Sequence, residues 1–188
     1  LKCSMINKMP GEYEDKFANL KVGYTFMLGH PGKKLLFMGQ DFGQFHEWDE
    51  KVSLDWYLTK EPFHADLQNY VKGLLTLYHK YPALYRLDEE YDGFQWINAN
   101  DGDRSIFSFI RRDETQKKNL LFICNFTPVD RDDYRVGVPK RGTYTLLLDQ
   151  EHGYYKRGDK ISHYRSIKSE CDGQPYHVAY PLAPYEVA

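Results

Sequence analysis

The spacing of apolar residues predicts two helices in the first half of the chain. Across residues 12–30, apolar side chains recur every three to four positions, which places them on one face of a helix, and Pro31 and Gly32 follow directly. Across residues 63–81 the apolar stripe is more regular, and Pro82 marks its end. We therefore expect two amphipathic helices joined by a long connection.

That connection begins with a short apolar run. Residues 35–38 (LLFM), closed by Gly39, are typical of a strand that is buried on both faces of a parallel sheet. Residues 40–62 then form a long polar and aromatic loop. Such a strand needs neighbouring strands, and parallel neighbours come from further βα units. Either this strand pairs with the β region that follows in the chain, or residues 1–88 are the last βα unit of a larger (β/α) barrel whose other strands lie upstream of Leu1.

From about residue 91 the pattern changes to short strands separated by turn clusters. The expected strands are GFQWINAN, RSIFSFIRR, NLLFICNF, DYRVGV, TYTLLL and YHVAYPLAPYEVA. Residues 150–175 show no clear period and are expected to form a loop. The sequence thus predicts an α+β chain: residues 1–90 as the end of a (β/α)8 TIM barrel, and residues 91–188 as an all-β antiparallel sandwich domain.

Composition narrows the possible functions. The 188 residues are 41% hydrophobic and 28% charged with a net charge of -2, which is typical of a soluble globular protein and disfavours nucleic acid as a partner. The apolar runs are too short to span a membrane, and three widely spaced cysteines favour a reducing cytoplasm. The aromatic content of 16% fits a carbohydrate partner or an aromatic-rich β core equally well.

Reactive side chains concentrate in the loop that follows the predicted strand. They are Asp41, Gln44, His46, Glu47, Trp48, Asp49, Glu50, Asp55 and Trp56. In a (β/α) barrel this loop would lie on the face that carries the active site. Asp41 and Glu47 are then candidates for a glycosidase-like carboxylate pair, although a merely solvated loop with tryptophans packed as core anchors explains the same residues. The histidines lack metal-ligand spacing, so we predict no metal site.

Several long segments carry a family resemblance. In order they are KMPGEYEDKFANLK, HPGKKLLFMGQDFGQFHEW, SLDWYL, HKYPALYRLD, DGFQWI and NFTPVDRDDYRVGVP. Together they resemble the C-terminal portion of bacterial 1,4-α-glucan (glycogen) branching enzymes, members of the α-amylase superfamily. The resemblance covers nearly the whole chain and is weakest over residues 150–175.

The resemblance implies an activity that this chain does not hold alone. Such enzymes cleave an α-1,4-glucan by retaining double displacement and transfer the cut chain to a 6-hydroxyl, without a cofactor. Their Asp nucleophile, Glu acid/base and third Asp, the last in an HDE segment, are expected upstream of Leu1. No catalytic residue is therefore assigned here, and the fragment is expected to be inactive by itself. Leu1 also stands where the family pattern has Gly.

The resemblance also reassigns the acidic loop. By the family pattern, the residues that line or support the glucan cleft are Asp41, Gln44, Glu47, Trp48, Asp55 and Trp56. Asp41 stands where the usual residue is Glu, which weakens its role. The implied partners are glycogen or a linear α-1,4-glucan and the upstream barrel of the same protein. Tyr154, Tyr155 and Tyr164 are possible sugar platforms, although surface packing explains them better.

Two other functions stay open from the sequence. The chain could be a glucan-binding module without chemistry, or the tail of a related hydrolase of the same superfamily. Because the predicted helices and strand would expose apolar faces, we also expect residues 1–88 alone to be poorly soluble or to self-associate.

Overall fold

The computed structural model describes residues 3–188, so the departure at Leu1 lies outside the described residues. Three α-helices occur in this range: α1 (Met5–Lys8), α2 (Tyr13–Gly29) and α3 (Pro62–Lys80). Short 3-10 turns cover Gln40–Phe42, Trp56–Lys60, Pro82–Leu84 and Tyr91–Gly93. Both predicted long helices are confirmed, each within a few residues of its expected bounds. None of the helices in residues 3–188 combines the length and apolarity that a membrane crossing requires.

The second half of the chain folds into antiparallel sheets. The strands are β1 (Phe94–Asp101), β2 (Ile106–Arg111), β3 (Leu120–Asn125), β4 (Arg131–Val138), β5 (Thr143–Thr145), β6 (Leu148–Asp149), β7 (Gly153–Tyr154), β8 (His163–Arg165) and β9 (Tyr176–Leu182). They form a sheet in the order β1-β2-β3 and the antiparallel pairs β4-β9, β5-β8 and β6-β7. The predicted all-β region is confirmed, but residues 150–175 hold β7 and β8 rather than only a loop.

The predicted strand at residues 35–38 is wrong for this chain. Residues 35–37 have no regular secondary structure, residue 38 begins a turn, and within the described range they belong to no sheet. Leu35 is 73% exposed and Phe37 is 44% exposed, so the run is not buried on two faces. The physical reason is that a strand requires a neighbour for its N–H and C=O groups, and no strand of residues 3–188 lies beside it. Pairing with the β region, one of the two expected solutions, is therefore not what this chain adopts.

Helices and sheets share a core because the β1-β2-β3 sheet is buried on both faces. On one face, Phe109 and Phe122 pack with α2 and α3 in a large apolar cluster. On the other face, Ile110 and Ile123 pack with β4 and β9 in a second cluster. Gly29 at the end of α2 lies so close to the Phe122 ring that an added Cβ would sit 2.7 Å from it. The sheet thus forms the central layer between helices and the outer strands.

A buried arginine joins these layers. Arg111 is fully buried at the end of β2. Its guanidinium donates hydrogen bonds to the carbonyl oxygens of Gly29 (2.7 Å) and Gly93 (3.2 Å) and to the carboxylate of Asp88. The last carbonyl of α2 and the turn before β1 are therefore held by one cation. This contact holds the end of α2, from which the chain continues into the partly exposed segment at residues 33–38.

Candidate functional site

The loop of residues 40–58 begins in a tight turn that glycine makes possible. Gly39 (φ +76°) and Gly43 (φ +71°) flank the 3-10 turn Gln40–Phe42, and both conformations favour residues without a Cβ. The Gln44 N–H donates to the Gly39 carbonyl at 3.0 Å and closes the turn. Beneath it, the Tyr24 hydroxyl of α2 donates to the Gln40 carbonyl at 2.8 Å. The first part of the loop is thus held rigidly against α2.

Gln44 connects the two ends of the loop. Its side chain is buried, its Oε1 accepts a hydrogen bond from the Asp55 N–H at 2.8 Å, and its Nε2 donates to the His46 carbonyl at 3.1 Å. The oxygen and the nitrogen of the side-chain amide therefore each form a hydrogen bond within the loop. Gln44 thus ties the backbone near His46 to the backbone of Asp55.

Two carboxylates of the loop are also engaged internally. Asp41 Oδ2 accepts a hydrogen bond from Gln68 Nε2 of α3 at 3.0 Å. Asp55 Oδ2 pairs with His46 Nδ1 at 2.6 Å, with the imidazole largely exposed and the carboxylate largely covered. Each of these two carboxylates therefore has one partner within the protein. Burial, and then the nearby charge of Asp41, raise the pKa of Tyr24, so this tyrosine remains a neutral donor.

The remaining three candidates face outward. Trp48 is 39% exposed and packs edge-on against Phe37 at a ring distance of 5.1 Å, while Trp56 is 56% exposed and lies against Phe42 at 5.5 Å. Glu47 is exposed, and its carboxylate has no hydrogen bond or ion pair within residues 3–188. The alternative in which both tryptophans are core anchors does not fit these exposures. The outward set is therefore Glu47, Trp48 and Trp56.

Sequence reasoning missed two residues that hold this loop. His64 on α3 is fully buried, and its Nδ1 forms a 2.7 Å hydrogen bond with the Phe42 carbonyl. The Phe17 and Phe45 rings pack edge-on against its imidazole. Gln68, which holds Asp41, lies one turn further along the same helix. Neither residue stands in a recognisable motif, because their partners lie more than twenty positions away in sequence.

The tyrosines considered as sugar platforms have different surroundings. Tyr154 is buried, and its hydroxyl accepts a hydrogen bond from Lys80 at 2.9 Å, so it offers no free face. Tyr164 packs edge-on against Tyr180. Tyr155 stacks on His152 with ring centroids 4.1 Å apart. Across the described part of the chain, no three His, Cys, Asp or Glu side chains converge in a way that would hold a metal ion.

The sequence of this chain is similar to one protein-family model and to several branching enzymes. Residues 96–188 match the family described as "Alpha amylase, C-terminal all-beta domain". The 1,4-alpha-glucan branching enzyme GlgB of Butyrivibrio fibrisolvens is 50% identical over 190 residues, covering 98% of this chain and 29% of that enzyme. The GlgB enzyme of Aquifex aeolicus is 44% identical over 95% of this chain and 30% of its own length. The chain thus spans about three tenths of the curated relatives that it matches.

A solved structure supports the fold independently. Pullulanase type I from Bacillus subtilis, crystallised with maltose, superposes with a TM-score of 0.67 over 94% of this chain and 24% of the pullulanase. The sequence identity is 15%, so this likeness is evidence for the fold alone.

Proposed function

Since residues 96–188 belong to the α-amylase C-terminal all-β domain family and the whole chain is homologous to part of the GlgB branching enzymes, we propose that it is the C-terminal part of a 1,4-α-glucan branching enzyme. The observation that carries this proposal is the 50% identity over 98% of the chain. The parent enzyme cleaves an α-1,4-glucan and transfers the cut chain to a 6-hydroxyl of glycogen. Its catalytic carboxylates belong to the rest of the protein, and residues 1–188 alone are inactive.

In this proposal, residues 1–90 complete a (β/α)8 barrel and residues 91–188 form the C-terminal domain beside it. The apolar run at residues 35–38 supports the assignment, because the exposed side chains of Leu35, Phe37 and Met38 call for further apolar surface to pack against. The upstream barrel would supply that surface. A cytoplasmic location, suggested by free cysteines at positions 3, 124 and 171, stays a prediction.

The loop of residues 40–58 then forms part of the wall of the glucan cleft. A covalent glycosyl intermediate must react with a sugar hydroxyl in preference to water, which requires an acceptor held in the correct orientation. The exposed faces of Trp48 and Trp56 suit the C–H faces of sugar rings, and the free carboxylate of Glu47 suits sugar hydroxyls. Asp41, Gln44 and Asp55 keep the backbone of the loop in place.

The test is a substitution in the full-length enzyme. Trp48→Ala should lower the ratio of new α-1,6 linkages to new reducing ends by about 2- to 10-fold, which corresponds to the loss of one aromatic contact. Trp96→Ala is the matched control, because Trp96 on β1 is exposed to the same degree but lies outside the loop. An unchanged ratio in Trp48→Ala would exclude the loop from the acceptor site. A full-length protein that forms no α-1,6 linkages would refute the branching assignment itself.

Two alternatives make different predictions. A glucan-binding module without chemistry is favoured by the outward tryptophans, and it predicts saturable binding of glycogen by residues 1–188 alone. A related hydrolase predicts reducing ends without α-1,6 linkages in the assay above. The two measurements separate all three functions.

A further inference from the structure

The imidazole of His64 is enclosed beneath the loop of residues 40–58. It has no solvent exposure, and the rings of Phe17 and Phe45 pack edge-on against it with centroids 4.8 and 5.0 Å away. Its Nδ1 lies 2.7 Å from the Phe42 carbonyl oxygen. Because a carbonyl oxygen only accepts hydrogen bonds, Nδ1 carries the hydrogen and donates it.

The second ring nitrogen of His64 contributes nothing to packing. Nε2 is buried and has no hydrogen-bond partner among residues 3–188. The side chain is enclosed by residues of this chain alone, so this burial does not depend on other parts of the parent protein. Burial of an unpaired polar atom destabilises a protein, so a phenylalanine ring would suit these aromatic surroundings better. What only the histidine provides is the Nδ1 donor to the Phe42 carbonyl.

Phe42 carries this contact to the surface of the loop. It is fully buried at the end of the 3-10 turn, and its ring lies against Trp56 with centroids 5.5 Å apart. Trp56 is 56% exposed and is one of the outward side chains of the loop. The backbone beside it is held separately, because the Asp55 N–H donates to Gln44 Oε1 at 2.8 Å. The position of the Trp56 ring therefore depends on the position of Phe42.

A second side chain anchors the same turn on the same helix. Gln68 lies one turn after His64 on α3, and its Nε2 donates to Asp41 Oδ2 at 3.0 Å. Residues four apart lie on one face of a helix, so this face of α3 holds two consecutive residues of the turn, Asp41 and Phe42. Residues of α3 also belong to the large apolar core cluster. The turn thus rests on a rigid element, which a precisely placed binding side chain requires.

We propose that His64 is a positioning residue for the acceptor glucan: through Phe42 it holds the Trp56 ring where that ring packs against an acceptor sugar. The inference rests on the proposed assignment of this loop to the glucan cleft. In transfer and in hydrolysis alike, the bond between the sugar and the enzyme carboxylate breaks. The new bond forms to a sugar O6 in transfer and to a water oxygen in hydrolysis, and the proton of either passes to the general base. Only the sugar needs a platform that orients it, so loss of the His64 donor should favour hydrolysis.

The test compares two substitutions of His64 in the full-length enzyme. His64→Phe keeps a ring of similar size and removes the donor, whereas His64→Asn keeps a donor nitrogen near the place of Nδ1 and removes most of the ring. His64→Phe should lower the ratio of new α-1,6 linkages to new reducing ends by about 2- to 10-fold. His64→Asn should keep this ratio within about twofold, although its cavity should make it the less stable variant in urea unfolding.

A merely structural role predicts a different order of the two variants. The ratio would then fall most in the less stable variant, because disorder of the loop would follow the loss of packing. A ratio that follows stability in this way, or an unchanged ratio in His64→Phe, would overturn the proposal. His79→Phe is the matched control, because His79 lies on the same helix but is exposed, and it should leave the ratio and the stability unchanged.

A double-mutant cycle tests whether His64 acts through Trp56. Trp56→Ala alone should lower the ratio by about 2- to 10-fold, and the addition of His64→Phe should lower it no further. With Trp48→Ala the two effects should multiply, because the Trp48 ring packs on Phe37 instead of Phe42. A further loss in the variant that combines His64→Phe with Trp56→Ala would refute the route through Trp56. Equal coupling to both tryptophans would indicate a general disturbance of the loop and would also refute it.

The same measurements separate the failure of this inference from the failure of the proposed function. If Trp48→Ala and Trp56→Ala both leave the ratio unchanged, the loop does not contact the acceptor, and the proposed role of the loop fails together with the inference. If Trp56→Ala lowers the ratio and His64→Phe does not, the loop keeps its proposed role and only the inference about His64 fails.

Discussion

Two runs of this chain start with the same apolar triplet and reach opposite outcomes. Residues 35–37 and residues 120–122 both read Leu-Leu-Phe, and a pair of lysines precedes each run closely. In β3, Phe122 is 5% exposed and every residue pairs with β2, whereas Phe37 is 44% exposed in a segment that has no strand partner among residues 3–188. An apolar run is therefore compatible with a strand, but a strand forms only where a neighbouring strand pairs with it.

The largest expected difference between the runs is in their contribution to stability. Phe122 stacks on Phe109 with ring centroids 4.8 Å apart and lies against Gly29, so Phe122→Ala opens a cavity in the shared core. It should lower the free energy of unfolding by about 3–5 kcal/mol. Phe37→Ala, the matched change in the exposed run, should lower it by about 0.5 kcal/mol. Urea unfolding followed by circular dichroism measures both, and similar losses would mean that the two runs are equally well packed.

An intermediate loss of stability is expected at Arg111, which links the end of α2 to the β1-β2-β3 sheet. Asp88→Ala leaves the buried guanidinium of Arg111 without its carboxylate and should cost about 2–4 kcal/mol in unfolding free energy. Because Arg111 also holds the Gly29 carbonyl, amide exchange should quicken at the end of α2. Arg86→Ala, which breaks an exposed pair with Glu114, is the control and should cost less than about 0.5 kcal/mol. Equal costs for the two variants would show that Arg111 does not depend on Asp88.

The smallest expected loss of stability concerns Glu186, in the segment of residues 186–188 that forms backbone hydrogen bonds with the outer edge of β3. Burial raises the pKa of the Glu186 carboxyl, while hydrogen bonds from the Ala183 N–H and the Tyr180 hydroxyl favour its ionised form. A raised folded pKa means that the contribution to stability is full below the unfolded pKa and is lost as pH rises through the folded pKa. Tyr180→Phe removes one donor to the charged form and should make this decline steeper.

The expected loss for Tyr180→Phe is about 1–2 kcal/mol at pH 8 and less at pH 4, measured by denaturant unfolding at both pH values. Tyr144→Phe is the control, because the Tyr144 hydroxyl donates to the neutral Lys140 carbonyl. Its loss should be the same at both pH values. A loss for Tyr180→Phe that is independent of pH would indicate that Glu186 keeps one charge state throughout this range.

Much of the fold could be predicted because its signals are local. The apolar period of α3 and the turn clusters between β1, β2 and β3 are properties of neighbouring residues. The loop at residues 40–58 was also recognised from its density of polar and aromatic side chains. Its internal order was not predictable, since the partners of Asp41 and Gln44 are identified only by the folded chain. The roles of these residues in glucan binding stay predictions.

The sequence by itself determined the two long helices, the antiparallel β region and the similarity of residues 96–188 to a known domain family, because periodicity and residue identity are recorded in the order of residues. The tertiary structure alone decided that residues 35–38 form no strand and that Leu35, Phe37 and Met38 are exposed, as are Glu47, Trp48 and Trp56. Each of these outcomes depends on whether a partner group lies within hydrogen-bonding or packing distance. That distance is fixed by segments far away in sequence, and no local pattern encodes it.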